Sequence, residues 1–102
     1  MERLWKIIAE IEIEPGDLGL DTTHTKGFMN VVTWASSPDA IGEKLSRYLG
    51  TFNWQLLSVE DIRRVEDSGN YGEELTDMIE RARRNRNAII LGCFHSYRDA
   101  LQ

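Results

Sequence analysis

With 102 residues, 41% of them hydrophobic and 28% charged, the chain has the length of one domain that buries roughly 60 to 70% of its unfolded surface without staples. A net charge of −5, from 17 acidic against 12 basic side chains, makes it a poor non-specific binder of nucleic-acid phosphate. The single cysteine, Cys93, excludes an intramolecular disulfide and any multi-cysteine zinc site.

Leu4 to Glu14 alternates, with Trp5, Ile7, Ala9, Ile11 and Ile13 on one face and Lys6, Glu10, Glu12 and Glu14 on the other, which predicts a half-buried strand with a wet face. Charge runs throughout this apolar stretch, so it does not read as the h-region of a signal peptide. No window approaches the roughly 18 apolar residues of a membrane span. A soluble, cytoplasmic protein is expected. Pro15 and Gly16 stop the strand, and Asp17 to Lys26 follows as a polar loop.

Phe28 to Ala35 is a β-branched and aromatic run with apolar residues on both faces, the pattern of a central strand. Ser37 then supplies an N-cap acceptor, Pro38 a pre-set φ and Asp39 a first-turn negative charge. Ile41, Leu45, Tyr48 and Leu49 form one helical stripe, and Gly50 stands where a left-handed C-cap is expected. Trp54 to Val59 is a third strand, with Asp61 to Val65 extending it past a bulge. After a turn at Asp67 to Asn70, Gly72 to Arg84 reads as a second amphipathic helix, with Leu75, Met78, Ile79 and Ala82 on one face. Ala88 to Tyr97 is the final strand, and Arg98 to Gln102 a short tail.

The order ββαβαβ predicts a single α+β domain spanning 1–102. Its expected form is a two-layer sandwich in which two helices cover one face of a four-stranded, largely antiparallel or mixed sheet. This order resembles ferredoxin-like α+β sandwiches but departs from their βαββαβ plan, and no functional residue is carried over from them.

Candidate chemistry falls outside the central strand, helix and strand. Asp21 to Gly27 is dense in hydrogen-bonding groups, among them His24 and Lys26, and could close over a small anionic ligand. It lacks the spacing of a Walker loop and precedes a strand where that motif needs a helix. Cys93, His95 and Tyr97 alternate along the last strand, but positions i and i+2 lie about 6.5 Å apart, too far for a nucleophile and its base. Two histidines without a pairing motif do not make a metal site.

Arg81, Arg83, Arg84 and Arg86 place four positive charges within six residues. Asp77 to Arg81 and Glu80 to Arg84 are helix i,i+4 pairs, which leaves Arg83 and Arg86 as anion-binding candidates. Between Glu60 and Glu80 eight carboxylates face two arginines, a pattern suited to a basic partner surface and lacking the spacing of a calcium loop.

No catalytic motif is present and no cofactor is expected. The sequence favours a non-enzymatic interaction or regulatory module that binds a protein partner and forms a homodimer. The other reading is a small anionic-ligand-binding protein or minor enzyme built on the 17–27 loop and the last strand, with His24, Lys26, Arg83, Arg86, His95 and Tyr97 around a pocket.

Overall fold

The computed structural model describes residues 1–17, 25–67 and 69–96. Its elements are β1 (Arg3–Glu12), β2 (Lys26–Ala35), α1 (Pro38–Gly50), β3 (Gln55–Arg64), α2 (Gly72–Arg84) and β4 (Ile89–Ser96). The expected tail lies outside the described residues, as does most of the 17–26 loop. The four strands form one antiparallel sheet in the order β3-β1-β2-β4, so the α+β class and the order ββαβαβ stand as expected. β2 is central, flanked by β1 and β4, as its two apolar faces require. Among the described residues no helix is long and apolar enough to cross a membrane.

The helices do not share a face, which corrects the expected two-layer arrangement. Ile41, Leu45 and Leu49 of α1 gather Ile7, Ala9, Ile11, Met29 and Val31 into one cluster. Met78, Ile79 and Ala82 of α2 gather Leu4, Val32 and Ile90 into another. Odd-numbered residues of β1 and β2 belong to the first cluster and even-numbered ones to the second, and successive strand side chains point to opposite faces. α1 therefore lies on one side of the sheet and α2 on the other. The physical reason is visible in β2, where Val31 and Val32 are adjacent and both fully buried: a strand can bury neighbours only if both its faces are covered.

Each helix covers only part of its face. α1 packs on β3 and β2, and α2 on β2 and β4. The uncovered even face over β1 and β3 carries Lys6, Ile8, Glu10 and Glu12, all partly exposed, which is the wet face expected of β1.

The ends of α1 follow from local chemistry. Ser37 is the N-cap and accepts from the Ala40 N–H at 3.4 Å, with Pro38 and Asp39 in the first turn. At the other end the left-handed residue is Asn53 (φ 62) and not Gly50, which remains helical. The Trp54 N–H returns to the Leu49 carbonyl at 3.1 Å around it. Asparagine tolerates this conformation, so the left-handed residue falls three positions beyond the expected glycine while the helix itself ends at Gly50.

β3 reaches Arg64 through two register shifts against β1. At one of them Asp61 adopts φ 50, and its carboxylate binds Arg63 Nε at 2.8 Å and faces Lys6 Nζ at 3.9 Å. All three tryptophans hold the frame through their indole N–H: Trp5 donates to the Ala35 carbonyl (3.0 Å), Trp34 to the Ala82 carbonyl (2.7 Å) and Trp54 to the Asp17 carboxylate (2.8 Å).

Candidate functional site

The sheet's two outer strands differ in kind. β3 carries Glu60, Asp61, Arg63 and Arg64 and is broken by two register shifts. Charges and bulges of this sort blunt an edge against pairing. β4, IILGCFHS, contains no aspartate, glutamate, lysine or arginine and has one register shift, against β2. It pairs on one side only. Ile89, Leu91 and Phe94 lie half-buried against the α1 cluster. Next to Ile89 a groove of about 410 Å³ runs along α1, walled by Ala40, Lys44, Tyr48 and Thr51. Lys44 is fixed there by donating to the Trp34 carbonyl at 2.8 Å. An uncharged strand edge thus lies beside an apolar groove, with backbone hydrogen-bonding capacity open on its outer side.

The ligand candidates do not form one site. His24 and Tyr97 lie outside the described residues. Lys26 and His95 are both exposed and stand at one end of the β2–β4 pair, where Gly27 faces Ser96 and Phe28 faces His95. Arg83 and Arg86 belong to the other end, beside Trp34, six strand residues from Phe28 and hence about 20 Å away. Neither arginine is as available as the helix pattern implies. Arg83 binds the Asp67 carboxylate at 2.8 Å, and the Arg86 guanidinium lies over the Trp34 ring, 4.3 Å from its centroid. Of the two expected helix pairs, Asp77 and Arg81 meet at 3.7 Å.

Cys93 is exposed, and its partner is on α2 rather than on its own strand. The bulge of β4 places Gly92 and Cys93 opposite Asn30, and Glu74 reaches across to both: its Oε1 accepts from Asn30 Nδ2 at 3.4 Å, and it hydrogen-bonds the thiol. A Cβ on Gly92 would stand 2.5 Å from that carboxylate oxygen, so the approach depends on glycine. The hydrogen bond to Glu74, followed by the repulsion of its negative charge, holds the Cys93 thiol above its ordinary pKa. A nucleophilic cysteine needs the opposite shift. Because the folded state favours the protonated thiol, the contribution of Cys93 to folding is complete below the ordinary thiol pKa and is lost as the pH rises beyond it.

Alkylation of Cys93 by iodoacetamide at mildly alkaline pH is accordingly expected to run slower than that of an unstructured thiol, and Glu74→Gln to accelerate it several-fold. Equal rates in the two proteins would exclude the contact. Among the described residues no group of three histidine, cysteine or carboxylate side chains could hold a metal ion.

A second polar site was not legible in the sequence. At the end of the sheet a cleft of about 240 Å³ is lined by Arg3 from β1, Arg64 from β3 and Arg83 from α2, together with the carboxylates of Glu2 and Asp67 and the apolar Leu4, Trp34 and Val65. Trp34 is the last residue but one of β2, close to the strand end from which an aromatic residue can floor a pocket. The only signal for this cluster is that Arg64 sits opposite Trp5 in the β1–β3 register, and that pairing is invisible before the sheet order is known. Compared with protein-family models, curated proteins and solved structures, the chain matches none.

Proposed function

We propose that the protein is a non-enzymatic interaction module of the cytoplasm that self-associates through β4 and offers the joined sheet to a protein partner. The observation that carries this reading is the contrast between the two sheet edges: four charged residues and two register shifts on β3, none and one on β4. Antiparallel pairing of β4 with its copy would continue the sheet across a two-fold axis, and an uncharged strand meets its own copy without like charges facing each other. With that axis perpendicular to the sheet, the two α1 grooves would lie on the same side and merge into one apolar channel. Of the acidic stretch from Glu60 to Glu80, Glu60 and Asp61 lie on β3 at the opposite edge of the sheet and remain outside this contact as a surface for a basic partner.

Light scattering at micromolar concentration is expected to give twice the 11.7 kDa chain mass. Leu91→Lys, which puts a charge into the β4 edge, is expected to return the mass to that of one chain while keeping a cooperative melt. Leu57→Lys, on the exposed side of β3, should leave the dimer intact. A wild-type protein of single-chain mass would sink the reading.

A further inference from the structure

We infer that the cleft of Arg3, Arg64 and Arg83 is a binding site for a small phosphate monoester. Three arginines from three separate elements line it beside two carboxylates, Glu2 and Asp67, an excess of one positive charge in a chain whose net charge is −5. A local excess of arginine in an acidic chain favours an anion between the side chains. Only Arg83 has an ion-pair partner among the described residues, the Asp67 carboxylate; Arg3 and Arg64 have none there. The Asp67 side chain is 96% exposed, and an ion pair so open to water is weak and easily displaced.

Asp67 therefore acts as a tethered stand-in, occupying the arginine until a stronger anion arrives. Guanidinium groups match the geometry of phosphate oxygens in paired hydrogen bonds. The cleft's 240 Å³ suits a phosphoryl group with a few attached atoms, below the usual range for a drug-sized ligand. Leu4, Val65 and the Trp34 ring give the organic part an apolar wall. Arg86, stacked on Trp34, keeps the indole in place and adds positive potential behind it.

The test is a titration with inorganic phosphate and with phenyl phosphate at low ionic strength, followed by calorimetry and by tryptophan fluorescence. Saturable binding is expected, weakened about tenfold or more in Arg3→Gln/Arg64→Gln through loss of charged hydrogen bonds, tightened in Asp67→Asn and unchanged in Arg47→Gln on the exposed side of α1. Tighter binding of phenyl phosphate identifies an organic phosphate as the ligand, and equal binding identifies the free ion; either outcome supports the site. Absence of saturable binding, or binding that survives the double arginine replacement or is not tightened by Asp67→Asn, overturns it. None of these readouts depends on whether the chain dimerises.

Discussion

Replacing Leu45 with alanine is expected to lower the stability of the protein by about 3 kcal/mol, the usual cost of emptying a fully enclosed leucine site, and its melting temperature by about 15 °C. Leu45 is 1% exposed and sits at the middle of the α1 stripe, between Ile41 and Leu49, on a floor made by β1 and β2. The substitution leaves helix propensity intact, because alanine is the best helix former. The loss therefore reports packing alone, and urea denaturation measures it. Combined with Ile79→Val, on the other side of the sheet, the two costs should add to within about 0.5 kcal/mol, since the two side chains belong to separate clusters. A large coupling energy would contradict the placement of the helices on opposite faces.

Gly27→Ala should cost a further 2 to 3 kcal/mol or so by a different route. Gly27 of β2 faces Ser96 of β4, and an added Cβ would meet the His95 carbonyl oxygen and stand 2.7 Å from Ser96 Cα. Both obstacles are backbone, so no side chain can rotate out of the way and the strands must part. The damage should be local. Amide exchange should accelerate at the Gly27–Ser96 end of the β2–β4 pair while the β1–β2 pairing keeps its protection. A variant that melts and exchanges like the wild type would show that the approach is looser than described.

How much of this was legible in the sequence varies with how local its cause is. The start of α1 was readable because Ser37, Pro38 and Asp39 act within one turn. Its left-handed residue is Asn53 and not Gly50 because both can adopt that conformation, and the choice between them depends on which N–H reaches the Leu49 carbonyl. The double-faced apolar pattern of β2 implies a central strand. It also states that each face needs a cover, and a helix on each side follows from it.

The candidate site was less legible for the same reason. Lys26 and His95 were singled out and do stand on neighbouring strands. Arg83 and Arg86 were singled out as free and are engaged by Asp67 and Trp34. Arg3 and Arg64 carry no local signal; only the order β3-β1-β2-β4 brings them to the same end of the sheet as the last turn of α2.

The placement of β4 beside β2 also has a consequence during synthesis. β2 is made early and finds β1 at once through the chain that joins them, but its outer edge waits until α1, β3 and α2 have all been translated. Through that interval the run from Gly27 to Ala35, without a single charge, presents open backbone to any passing strand. The last strand thus doubles as a seal, and a nascent chain stalled before Ile89 is the form of this protein most exposed to aggregation.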